Sequence, residues 1–404
     1  MPRASSNRGQ TPFLPLVLLG AGLLLRTSIF ELPHREGDER IYAALLEQIA
    51  AGRGYTLQGH PILDEDWMIR DQYDTRTFYH PPAGIAWMGL FASAFGARGL
   101  DLGQLAAFAA FFAGAWMLAK ETLPRFTPAA RWLVGSLAGA TPIVAHVSIH
   151  RWLDGPQVGA VAIAAWLSAR ALRRGGTKAA MLAGAALGVA MLVKLNTAVA
   201  VGPILLVAWV AADERSFRER TLSCAWIAGV AALAVLPWIV VAPPWPGKPS
   251  PRLIAENPFV RHVTIERSPW AYLRLLPTTV WTLVPSLAVA ALLPPRRRER
   301  AFVAAVVAWI AVVTAVAIGL GALGYSKLLR YVVLAAPATV LLAGWATARI
   351  EEELLAASSR RAGAVALALF LAVGCALEVA HGFQTTRIYP DRAWIRPLMA
   401  AAPP

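Results

Sequence analysis

The feature that most limits what this chain can become is a series of long apolar runs, most of them close to the ~20 residues a helix needs to cross a bilayer. They fall at residues 12–30, 102–119, 131–149, 155–171, 179–194, 196–212, 224–242, 271–293, 302–323, 331–348 and 363–380. Only 15% of the residues are charged, against roughly a quarter in soluble proteins. In lipid every backbone N–H and C=O must find its partner within the chain, which selects helices over open sheets. The expected fold class is therefore an all-α polytopic membrane protein with eleven spanning helices. The first run, 13–30, is too long for a signal peptide and lacks a small-residue cleavage site, so it is expected to stay as an anchor.

A net charge of +14 suggests an acidic partner such as nucleic acid until its distribution is examined. The basic residues gather in short turns between apolar runs, at 120–131, 170–178, 213–220, 294–300 and 349–361, and in the N-terminal tail. The eleven spans place all of these segments on one side. They hold 19 Lys and Arg against 8 Asp and Glu, while the rest of the chain holds 19 against 16. The positive-inside rule makes the basic side cytoplasmic, so the charge belongs to topology and no nucleic-acid partner is expected. All seven histidines and two thirds of the acids then fall at or near the outer face, and chemistry is expected there. Cys224 and Cys375 lie in or beside apolar runs and suggest neither a disulfide framework nor a metal site.

Two outer segments are long. The first, 31–101, contains an amphipathic stretch at 39–51 with apolar positions Ile41, Tyr42, Leu45, Leu46 and Ile49. A second stretch, 83–95, follows Pro81-Pro82 and stops at Gly96. Both are too short to span and are expected to lie in the membrane interface. The second outer segment, 243–270, is rich in proline. The whole reads as a single membrane domain, 1–380, followed by a short outer tail, 381–404, with no separate soluble domain.

Several side chains on the outer face invite chemistry. Asp38 and Glu39 follow the first run, and Asp154 opens the fourth. Each acid has a bland reading as a helix cap or first-turn residue and a functional one as a general base. Lys194 ends an apolar run, where it either snorkels to the interface or binds an anion. Lys327 and Arg330 occupy a short outer loop, against the positive-inside bias, and suit a phosphate as well as lipid headgroups. Arg261 and His262 belong to a charged cluster before the eighth run. His146 and His150 have the i, i+4 spacing of a metal pair, but no third ligand is evident.

The order of these features resembles the GT-C superfamily of polyprenyl-phosphate-dependent glycosyltransferases, in its protein O-mannosyltransferase and lipid A aminoarabinose transferase branch. The matching motifs are Gly37-Asp38-Glu39, Phe78-Tyr79-His80-Pro81-Pro82, Leu153-Asp154-Gly155-Pro156, Leu192-Val193-Lys194 and the run from Ser326 to Tyr331. No single motif is specific; the ordered set is. His80 departs from the lysine that the aminoarabinose transferases carry before Pro-Pro. The resemblance implies an inverting sugar transfer from a polyprenyl-phosphate donor to an envelope lipid, glycan or protein, in a cavity facing the periplasm of the inner membrane.

In that frame Asp38, with Glu39 as the alternative, is the base, and Asp154 positions acceptor or sugar. Lys194, Lys327 and Arg330 hold the carrier phosphate, while Tyr79, His80, Arg261 and His262 line the substrate. No cofactor is demanded, although a divalent metal at His80 is compatible with the pattern. The rival readings are a lipid or sugar flippase and a non-catalytic assembly partner. A transporter places polar groups near the midplane on broken helices, whereas the middles of these runs are almost free of charge, with Arg26 and Arg274 nearest.

Overall fold

The computed structural model describes residues 13–30, 37–65, 68, 70–242, 270–322, 329–356 and 361–388, which form helices and turns with no strand among them. In chain order the helices are α1 (Leu14–Leu25), α2 (Gly37–Ala50), α3 (Arg70–Tyr73), α4 (Pro82–Phe95), α5 (Gly99–Thr122), α6 (Pro128–Ala140), α7 (Pro142–Ser148), α8 (Asp154–Arg174), α9 (Thr177–Val193), α10 (Ala198–Ala211), α11 (Phe217–Val241), α12 (Ala271–Thr279), α13 (Leu283–Leu292), α14 (Arg300–Ala322), α15 (Ala336–Leu355) and α16 (Arg361–Ile388). Five stretches among the described residues are long and apolar enough to cross a membrane: Gly99–Thr122, Phe217–Val241, Arg300–Ala322, Arg330–Leu355 and Arg361–Thr386. Shorter apolar helices, Thr177–Val193 and Leu195–Ala211 among them, stand beside these. The chain is a polytopic membrane protein.

The bundle is built on close backbone approach. Helix α8 packs between α5 and α9, and α9 in turn packs along α11. Gly184 and Gly188 of α9 lie four apart and so share one face. A Cβ at Gly184 would meet the Ile227 carbonyl oxygen at 2.7 Å, and one at Gly188 would meet the Ala234 side chain at 2.6 Å. Lipid provides no hydrophobic drive for helices to associate, so such small-residue seams carry the packing.

Two of the expected continuous spans are broken. The run 131–149 divides into α6 and α7 at Thr141-Pro142, and 271–293 divides into α12 and α13. Pro142 lacks an N–H and cannot continue the ladder of α6. It serves equally well as the first residue of a new helix, so the apolar pattern runs through the break unmarked. The polar groups at both breaks meet one carboxylate. Glu378 of α16 accepts a hydrogen bond from the Thr141 hydroxyl, and from the Thr282 N–H at 3.0 Å and hydroxyl at 2.7 Å.

The first outer segment has a small core of its own, in which Ile41, Tyr42 and Leu45 of α2 pack with Phe78 and with Ile85 and Met88 of α4. Helices α2 and α4 have 14 residues each, about 21 Å of helix, well short of a ~30 Å hydrocarbon core. Helix α4 starts with Pro82 in its first turn and ends at Gly96, whose φ of 63° favours glycine. At the far end of α15, Glu352 receives Arg125, Arg296 at 3.1 Å and Arg349 at 3.0 Å. Three of the arginine-rich segments thus converge there. The second outer segment, 243–269, and the tail 389–404 lie outside the described residues; α16 itself continues past 381 to Ile388.

Gly184→Val should lower the melting temperature of the purified protein in detergent, by the equivalent of about 1–3 kcal/mol. Gly229→Val, on α11 with nothing within 4 Å of its Cβ position, should move it much less. Scanning fluorimetry of the two variants checks this.

Candidate active site

Four helix ends meet on the opposite side of the bundle from Glu352. They are the starts of α2 and α8, the end of α9, and the 3-10 turn Leu329–Ala335 that leads into α15. Neither acid at these starts is a cap. Helix α2 begins at Gly37, which puts Asp38 inside the first turn. Helix α8 begins at Asp154, its N-cap is Leu153, and no side chain caps it. Both carboxylates sit favourably at the positive end of a helix dipole. Both also reach across to cations from other elements.

The four charges form an alternating row. Arg330 Nη2 lies 2.6 Å from Asp38 Oδ2, and Arg330 Nη1 lies 3.8 Å from Asp154 Oδ2. Lys194 Nζ donates to Asp154 Oδ1 at 2.8 Å. Lys194 is therefore not the lone ammonium that its position at a helix end suggests. It stands in extended backbone at the C-cap of α9, which turns its side chain back towards α8. Asp154 is 1% exposed. Removing one partner of such a buried pair strands the other, at a typical cost of about 3–5 kcal/mol. Two atoms of the row are left over: among the described residues neither Asp154 Oδ2 nor Arg330 Nε has a hydrogen-bond partner.

Glu39 faces elsewhere. Successive helical residues point about 100° apart, and Glu39 meets a different set of partners from Asp38. Glu39 is 3% exposed. Its Oε1 accepts from the Arg151 N–H at 2.9 Å and lies 3.3 Å from His150 Nδ1. These contacts tie Glu39 to the turn before α8. Further supports hold that turn: Arg151 forks onto Asp101 at 2.7 and 2.9 Å, and Gln104 donates to the Trp152 carbonyl at 2.9 Å. The metal reading of His146 and His150 loses its helical face, because α7 stops at Ser148. Among the described residues no three His, Cys, Asp or Glu side chains cluster as metal ligands.

The Tyr79-His80-Pro81-Pro82 motif forms an aromatic wall. His80 lies 4.1 Å from Tyr79 and 6.1 Å from Tyr42, centroid to centroid. The Tyr55 hydroxyl donates to the carbonyls of His80 and Pro81 at 3.0 and 3.1 Å, which fixes the entry to α4. Burial, with Lys194 nearby, pushes the His80 imidazole down to about 3, so it is neutral at physiological pH. Burial also raises the Tyr42 and Tyr79 phenols, Tyr42 further through Asp38 and Tyr79 further through Tyr73. The wall is thus uncharged beside a charged row. Lys327, Arg261 and His262 lie outside the described residues.

The sequence reading overlooked Trp152 and Glu378. The signal for Glu378 was its standing as the one acid in the run 361–388. Trp152 had no such signal, since a tryptophan beside an apolar run usually reads as an interface anchor.

Residues 79–241 match the family model described as dolichyl-phosphate-mannose-protein mannosyltransferase. No curated protein matches the sequence. The fold is similar to ArnT from Cupriavidus metallidurans in the apo state, with a TM-score of 0.58 and 18% identity over 98% of this chain and 81% of that one. The same protein bound to undecaprenyl phosphate gives 0.56 and 18% over 99% and 82%. The archaeal oligosaccharyltransferase AglB from Archaeoglobus fulgidus, in complex with an inhibitory peptide and a dolichol-phosphate, gives 0.53 and 12% over 95% and 56%. The likeness of fold thus extends over nearly the whole chain.

His80 yields a test of the site's electrostatics. Its folded-state value lies below the ordinary 6.5, so the unfolded chain binds the proton more readily. Its contribution to stability is complete above about pH 6.5 and is lost as pH falls towards 3. Melting temperatures taken from pH 7 down to 4 should fall less steeply for His80→Gln than for the wild type. Parallel slopes contradict the assignment.

Proposed function

We propose that this chain is an integral-membrane glycosyltransferase that moves a sugar from a polyprenyl-phosphate donor to an envelope lipid, glycan or protein, on the outer face of the inner membrane. The observation that carries the reading is the alternating row Asp38, Arg330, Asp154, Lys194, assembled from four separate elements at one end of a GT-C fold. Acids suit an acceptor that must lose a proton, and cations suit a phosphate that leaves.

In the resting site each cation already has a carboxylate partner. A phosphate entering beside Arg330 competes with Asp38 for the guanidinium. Arg330 can take a phosphate through two parallel N–H bonds, and that exchange frees Asp38. Asp38, no longer neutralised, then accepts the proton of the attacking hydroxyl or amine. The new bond forms at the anomeric carbon on the face away from the phosphate, and the C–O bond to the phosphate breaks with inversion. Arg330 and Lys194 stabilise the charge that grows on the departing phosphate. Asp154 Oδ2, which accepts no hydrogen bond among the described residues, is placed to receive one from a hydroxyl of the sugar or acceptor. The uncharged wall of Tyr79 and His80 suits the body of a sugar. Lys327, Arg261 and His262 are assigned to the same substrate surface on sequence alone, and a divalent metal is left to direct assay.

A flippase finds less support. The buried ionic groups Arg26 and Glu378 are engaged in structural bonds, Arg26 with Ser148 at 2.6 Å and with the Gly22 and Gly139 carbonyls, Glu378 with the two helix breaks.

The test is a purified-protein assay with a panel of polyprenyl-phosphate sugars, reading release of the free carrier. Asp38→Asn should lower turnover by about 10²–10⁴-fold, the usual contribution of a general base. It should leave affinity for polyprenyl phosphate undiminished, because Arg330 loses a competitor. Near-normal turnover at wild-type expression contradicts the assignment of the base.

A further inference from the structure

The turn before α8 stacks three groups behind Arg330. Trp152 lies against the guanidinium, with Arg330 Cζ 4.7 Å from the ring centroid. The His150 ring lies flat against Trp152, with centroids 4.1 Å apart and planes 12° from parallel. Glu39 Oε1 stands 3.3 Å from His150 Nδ1 and also accepts the Arg151 N–H. His150 is 2% exposed and Trp152 6%. The Trp152 carbonyl is held by Gln104. A guanidinium stacks favourably on an aromatic face, and its planar fork gains most from being set in advance. Arg330 is carried by a seven-residue 3-10 turn, and Trp152 contacts its guanidinium from outside that turn.

We infer that Trp152, backed by His150 and Glu39, is a positioning platform that aims the Arg330 fork at the carrier phosphate. The inference rests on the assignment of Arg330 to that phosphate. It gives Asp38 and Glu39 separate tasks: one competes for Arg330 directly, and the other steadies the ring on which Arg330 lies.

The experiment is a double-mutant cycle on the full chain in detergent, with undecaprenyl phosphate as the probe. Trp152→Leu should weaken binding about tenfold, and Trp152→Phe, which keeps a flat ring, should restore most of it. In an Arg330→Lys background Trp152→Leu should cost less than a further twofold, because the platform then has no fork to aim. Equal losses in both backgrounds overturn the platform. The same cycle on melting temperature without the probe reads the coupling of Trp152 to Arg330 directly, and additive shifts there overturn it too. Coupled melting shifts with unchanged probe binding by Arg330→Lys would instead remove the phosphate from Arg330, overturning the aim at phosphate and the functional reading together while leaving the stack itself intact. Should Trp152→Leu fail to fold, His150→Leu, one layer further from Arg330, takes its place in the cycle with the same outcomes.

Discussion

Everything distinctive in this molecule depends on Arg330 being shared between two acids at the edge of a medium that tolerates no unpaired charge. Asp38 holds it at 2.6 Å, and Asp154 stands 3.8 Å away while bonded to Lys194. Four ionic groups on four separate elements are thereby tied into one neutral assembly. The arrangement stabilises the closed end of the bundle only while each charge keeps its partner. On the proposed function a phosphate enters by exchange: the anion takes over a cation and a carboxylate is released.

The rest of the fold supports that row. Helix α8 carries Asp154 and packs between α5 and α9. Helix α5 supplies Asp101 and Gln104 to the turn before Asp154, and α9 supplies Lys194 at its end. The broken helices serve it as well. Helix α7 ends just before His150, and α12 and α15 flank the 3-10 turn that bears Arg330. Glu378 bonds at both breaks, so a carboxylate far from the row in sequence helps to set the elements that frame it.

Much of this was legible in the sequence, for definite reasons. Spans were readable because apolar runs in lipid need no period. Asp38, Asp154, Lys194 and Arg330 stood out because charges at span ends are conspicuous, and alternation of sides sent all four to one face. Their pairings were not legible, since these depend on how each helix is rotated about its axis. That is why Glu39 looked equivalent to Asp38 until the helix turned it towards His150. The break at Thr141-Pro142 was hidden because a proline opening a helix is as apolar as its neighbours, and no proline stands at Val280 to Thr282 to mark the second. Trp152 was hidden because its work is done through a ring face, which leaves no mark in spacing.

The proposed exchange of carrier phosphate with Asp38 on Arg330 is tested most directly by a crystal structure of the protein with polyprenyl phosphate bound. Exchange requires the phosphate within hydrogen-bond reach of Arg330, with Asp38 separated from the guanidinium and Asp154 still bonded to Lys194. A phosphate bound elsewhere, with the Asp38–Arg330 pair intact, would contradict it.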